Sequence, residues 1–176
     1  MVQADAEATV RFLGAHVDSL NHLTRLHLFA QTAGRMTPAA RVQLARELLD
    51  ALNGRLTEHH RDEEQVLLPA MLSGARSAEA QATVKSLTAR LVSEHSSIEF
   101  LWGQINGQLQ AIASGQPVML AEKQCEELAA MYLFHTEFEE TVVLPLAAKL
   151  LTHDDKEAMD LNLTLRHQVD DLPAYI

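Results

Sequence analysis

The sequence predicts an all-α chain: an antiparallel up-down-up-down four-helix bundle with a short fifth helix near the C-terminus. Three observations lead there. The 176 residues are rich in Ala, Leu, Glu, Gln and Arg, and no run of β-branched and aromatic residues reaches strand length. Gly and Pro are few, seven and five, and they cluster at chain breaks. Between the breaks, apolar residues recur at i, i+3, i+4 and i+7, the period of a helix with one buried face.

Helix A is expected over about 5–33, ending at Gly34-Arg35-Met36-Thr37-Pro38. Its stripe runs Phe12, Leu13, Leu20, Leu23. Helix B follows over 38–72, with Thr37 as N-cap and Pro38 in the first helical position. It presents Leu52, Leu56, Val66 and Leu67. Ser73-Gly74-Ala75-Arg76-Ser77 ends it, and Ser77 caps helix C, 78–113, whose stripe includes Leu91, Ile98, Trp102 and Ile105. After Ser114-Gly115-Gln116-Pro117, helix D is expected over 118–151, with Leu128, Met131, Phe138 and Val142 inward. Pro69 and Pro145 should kink or finish B and D. A cap at Thr152-His153-Asp154-Asp155 starts the fifth helix, which runs to about Val169. Connections this short make neighbours antiparallel. Residues 1–151 thus read as the bundle domain, and 152–176 as a helix and tail packed on it.

A net charge of −10 argues against a nucleic-acid surface and against docking on anionic lipid. The single Cys125 forms no intrachain disulfide, and it reads as a small buried filler. MVQADAEATVRF has acids and no apolar core, unlike a signal peptide, and no segment is apolar for the length of a membrane span. The expectation is a cytoplasmic protein.

Every apolar stripe is interrupted by a histidine: His16, His59, His95 and His135. On B, C and D a glutamate follows four residues later: Glu63, Glu99 and Glu139. Residues four apart are offset by about 40° around a helix and about 6 Å along it, so both face inward. His16 stands 18 residues before Gly34, and His95 stands 18 after Ser77; His59 is 21 after Pro38, and His135 is 17 after Val118. At about 1.5 Å per residue these depths agree to about one helical turn. Carboxylates gathered in an apolar core would repel one another and take up protons. A pair of cations removes that cost, and imidazole and carboxylate are good ligands for iron.

The two halves of the chain also resemble each other. His59-His60-Arg61-Asp62-Glu63-Glu64-Gln65-Val66-Leu67-Leu68-Pro69 matches His135-Thr136-Glu137-Phe138-Glu139-Glu140-Thr141-Val142-Val143-Leu144-Pro145, both H-x-x-x-E-E-x-V-[LV]-L-P. Arg11 to His16 likewise matches Arg90 to His95. This register selects His59 with Glu63 as the inward pair, rather than His60 with Glu64, and His16 rather than His22 or His27 on helix A.

These motifs resemble the hemerythrin-like, or HHE cation-binding, family over about residues 10–150. The family shows a lone His on helix A, H-x-x-x-E-E leading to Pro on B, a His on C, and H-x-x-x-E-E leading to Pro on D. The resemblance implies a cofactor of two Fe ions bridged by Glu63 and Glu139, with His16 and His59 on one iron and His95 and His135 on the other. It also implies a small-molecule partner, O2, H2O2 or NO, or iron sensing. Helix C departs from the oxygen carriers, which have a second histidine one turn after the first; here that position is Glu99. A carboxylate ligand there would make the site more anionic and favour ferric iron, which turns the expectation towards peroxide or oxygen reduction and away from reversible O2 carriage.

Each residue has a blander reading. A single His-x-x-x-Glu pair is ordinarily an exposed helix pair. His16 reads alternatively as a satisfied core histidine, and Glu99 as an acceptor behind a ligand. His60, Glu64 and Glu140 read as solvated or as partners behind the ligands. His22 and His27 read as structural, Tyr132 as an amphipathic core residue rather than a ligand, Trp102 as a wall of the site, and His153 and His167 as peripheral. A zinc or manganese site, structural or for storage, is a third reading beside redox chemistry and gas binding.

Overall fold

The structure, a computed structural model, describes the backbone of residues 4–170 and the side chains of residues 13–166. The inward Phe12 and peripheral His167 expected from the sequence lie outside the described side chains. Among the described residues every regular element is helical. α1 spans Ala4–Thr32, α2 Pro38–Leu52, α3 Arg55–Asp62 and α4 Leu68–Gly74. α5 spans Ala78–Ala113, α6 Glu122–Phe138, α7 Leu144–Leu150 and α8 His153–Asp170. α1 packs on α2 and α6, and α5 packs on α2 and α6, so each long segment has two neighbours. α8 lies against α1 and α4. No described helix is long and apolar enough to cross a membrane.

The expected caps form. Thr37 Oγ accepts from the Ala40 amide at 3.2 Å, and Ser77 Oγ from the Ala80 amide at 3.1 Å. At the start of α8 the amides of Thr152 and Asp155 are satisfied reciprocally, each by the other's side chain, at 2.9 and 3.2 Å.

Helix B is not one rod. It breaks at Asn53-Gly54, where Gly54 takes φ +85° and caps α3. Below α3, residues Glu63–Leu67 form a π turn, closed by the Leu68 amide donating to the Glu63 carbonyl. Glu139–Val143 repeats the device on helix D, with Leu144 donating to the Glu139 carbonyl. Each π turn lies just before a proline, Pro69 or Pro145. A proline has no N–H to give and crowds the carbonyl four residues back, so one wider turn accommodates it without ending the helix. The inserted residue also rotates the register. Val142, expected inside, is 40% exposed, while Val143 is buried. Helix D starts at Glu122 rather than 118, because 118–121 run as a strap that buries Leu120 and ties the Ala121 amide to the Gln108 side chain at 2.8 Å.

The core is two apolar clusters. One holds Leu23, Leu52, Leu56, Ile98, Ile105, Leu128 and Tyr132. The other holds Val66, Leu67, Met71, Leu91, Val143 and Leu163. On helices B, C and D the residues between them are the inward histidines and glutamates, so a polar layer divides the core. Gly74 lets the ends of α4 and α7 meet; a Cβ there would stand 2.7 Å from the Leu150 carbonyl oxygen.

Candidate metal centre

The polar layer contains His16 from α1, His59 and His60 from α3, Glu63 and Glu139 from the first residue of each π turn, His95 from α5 and His135 from α6. All are buried, none more than 7% exposed. Two sets of four have ligand atoms within 4.8 Å of one another: His16, His59, Glu63 and Glu139, and Glu63, His95, His135 and Glu139. Both sets use the same two carboxylates, each of which divides its oxygens between them. Glu63 Oε1 lies 3.3 Å from His59 Nε2, and its Oε2 lies 3.1 Å from His95 Nε2. Glu139 Oε2 lies 2.9 Å from His16 Nε2, and its Oε1 lies 3.2 Å from His135 Nε2.

The outer nitrogens are held in a different way. His16 Nδ1 bonds Glu140 at 3.0 Å, His60 Nδ1 bonds Glu99 at 2.8 Å, His95 Nδ1 bonds Glu64 at 2.7 Å and His135 Nδ1 bonds Glu94 at 3.1 Å. Each of these carboxylates comes from a different helix than its histidine. With Nδ1–H given to the carboxylate, the Nε2 lone pair is directed inward, the tautomer a metal requires. The Nε2 atoms of His16, His60, His95 and His135 are buried without a hydrogen-bond partner, as are Glu63 Oε2 and both Glu139 oxygens. Leaving such a group unsatisfied costs about 1–3 kcal/mol. Seven such atoms converging on one layer fit a pair of cations.

Without cations, protons compensate. Burial, and then the neighbouring charge of Glu139, pushes Glu63 up to about 8. Burial opposes the charge of Glu139 as well, but the imidazoles of His16 and His95 outweigh it and hold Glu139 below the usual carboxylate range. Burial likewise resists protonation of His95, yet Glu139, Glu63 and Glu64 push it up to about 10. Burial and the surrounding histidines keep His59 and His60 neutral, at about 3 and about 2.

Six of the seven residues expected at the centre therefore come together: His16, His59, Glu63, His95, His135 and Glu139. Glu99 does not join them. Its side chain is 39% exposed and reaches His60 from outside. His60, expected in solvent or as a partner behind a ligand, is not in solvent: it is buried among the imidazoles, its ring stacked on His95 at 4.0 Å and 5°. The repeat and the proline register selected His59 over it, but the inward face of a bundle helix is wide enough to take both. Glu94 was missed altogether. Its signal lay in Arg90, four residues earlier, whose Nε holds the Glu94 carboxylate at 2.6 Å while its guanidinium stacks on Phe138.

The remaining expectations concern the surroundings. Tyr132 and Trp102 are buried core residues, and the Tyr132 ring lies 6.0 Å from that of His135. Cys125 is buried, and burial pushes its thiol up to about 11. His22 and His27 are half-buried away from the cluster, and His153 pairs with Glu157 on the surface.

No curated protein and no solved structure matches the chain. A family model does, that of the hemerythrin HHE cation binding domain, over residues 9–147. That span contains every histidine and glutamate of the buried layer and both π turns, so the chain belongs to the hemerythrin HHE cation-binding domain family.

Proposed function

We propose that this chain is a non-haem di-iron protein that takes a small oxidant, O2 or H2O2, at the buried layer. The observation that carries the reading is the division of each carboxylate between the two ligand sets, as bridging glutamates would require. His16 and His59 would then serve one iron, His95 and His135 the other, with Glu63 and Glu139 across both. Bound iron would supply a Lewis acid and a one-electron reductant next to the bridging carboxylates. The chain's own contribution is positional. Glu140, Glu64 and Glu94 orient His16, His95 and His135, and the two apolar clusters keep bulk water from the layer. The short connections and the pairwise packing of long helices support the antiparallel bundle as its frame.

Reversible binding of O2 or NO without turnover is the second reading, and the position of Glu99 favours it. The carboxylate that would have enriched the site in negative charge sits behind His60, and an imidazole occupies the interior in its place. One experiment separates the two. The protein is loaded anaerobically with Fe(II), exposed first to O2 and then to peroxide, and followed by optical absorption. Loss of peroxide or evolution of O2 above that of free iron is the expected result for oxidant chemistry. A ligand-dependent spectrum that reverses on degassing, with no peroxide loss, establishes binding instead. Metal analysis that finds zinc or manganese after growth with ample iron overturns both.

A further inference from the structure

Resting on the di-iron reading above, we infer that His60 is a third imidazole ligand to the metal held by His95 and His135, and that Glu99 fixes its tautomer. The ligand atoms of His60, His95 and His135 all lie within 4.8 Å of one another. Metal–imidazole bonds of about 2.1 Å put neighbouring ligand atoms of one ion about 3.0 Å apart, so closing on a cation draws the trio together and tilts His60 out of its parallel stack on His95. The ring of His60 stacks on His95 at 4.0 Å and meets His135 edge-on at 5.5 Å.

Stacking alone does not account for the residue. A histidine buried for packing satisfies both nitrogens, and His60 satisfies one. Its Nδ1 is held by Glu99 at 2.8 Å, whereas its Nε2 is buried without a partner. Its arrangement repeats that of His16, His95 and His135, with a half-exposed carboxylate from another helix behind Nδ1 and an unsatisfied Nε2 in front. The carboxylate is the same Glu99 that helix C offers one turn after His95. The residue at that position thus acts through helix B, and the two irons are unequal: His95, His135 and His60 serve one, His16 and His59 the other.

The test uses the full chain loaded with 57Fe(II), with iron per chain and Mössbauer spectra as readouts. The wild type comes first, because failure to bind two irons there defeats the di-iron reading itself. Given two, H60A should weaken one iron by at least about 10–100-fold and move that iron's quadrupole doublet alone. E99Q should move the same doublet by a smaller amount. In H60G, free imidazole should restore the lost iron and its doublet. Two irons of wild-type affinity with both doublets unchanged in H60A would overturn the inference. So would equal weakening of both irons in a variant whose metal-free helical circular dichroism matches the wild type. If neither His60 variant folds, E99Q decides by the same criterion: one doublet moved supports the assignment, and none or both moved overturns it.

Discussion

Glu63 and Glu139 differ from the other residues of the layer because each faces both ligand sets. Glu63→Gln or Glu139→Gln should therefore weaken both irons together, whereas His135→Ala should weaken one more than the other. Equilibrium Fe(II) titration reads this directly, with losses expected above the roughly 10–100-fold typical of a partner behind a ligand. Proton linkage gives a second expectation. At pH 7 the metal-free chain keeps protons on Glu63, at about 8, and on His95, at about 10, and both must leave when metal binds. Apparent metal affinity should thus rise with pH through 8 and towards 10, with protons released on loading. The stability of the metal-free chain has the opposite sign. Both groups bind protons more tightly folded than unfolded, so that stability falls as pH rises from 7 to 10. Calorimetry in buffers of different ionisation enthalpy measures the release, and thermal melts at pH 7 and 9 check the slope. At this scale the repeated motif made the inward histidines and glutamates legible, since His59 with Glu63 and His135 with Glu139 occupy matching places before matching prolines. His60 and Glu94 were not legible. Their roles depend on which neighbouring helix each faces across a seam, and periodicity within one helix carries no such information.

At the scale of elements, the sequence announced the caps at Thr37, Ser77 and Thr152, because side-chain oxygens there serve amides that the helix leaves free. The break at Asn53-Gly54 was also written as a turn pair, but the apolar stripe running through it masked the signal. The π turns were half visible. The prolines marked where the helices had to give, while the extra residue that places Glu63 and Glu139 arises from how each helix resolves the clash. Gly54→Ala puts a side chain where φ is +85°, and should cost about 1–3 kcal/mol. For a chain of this length that lowers Tm by roughly 2–4 °C per kcal/mol, with two irons still bound. Gly74→Ala should also destabilise the chain, by forcing α4 away from the Leu150 carbonyl. A melting curve unchanged by either substitution would show that the break and the close approach carry no strain.

For the whole molecule, a layer of ionisable groups separates two apolar clusters, so the core is complete only when something satisfies that layer. Ligand binding to the folded state alone adds about 2.7 kcal/mol per site when the free metal is 100-fold above Kd. Two sites should raise Tm by about 10–20 °C, and a chelator should reverse the gain. The all-α architecture followed from composition and periodicity, which reflect local backbone preference and one-sided burial. The position of Glu99 did not, because whether a carboxylate or an imidazole enters the layer is a matter of a few ångströms between helices.

The most direct test is the number of Fe(II) ions retained per chain in an anaerobic equilibrium titration of the wild-type protein. Two ions per chain are predicted, both weakened by Glu139→Gln. A single ion, none, or two ions indifferent to that substitution would contradict a centre built on shared carboxylates.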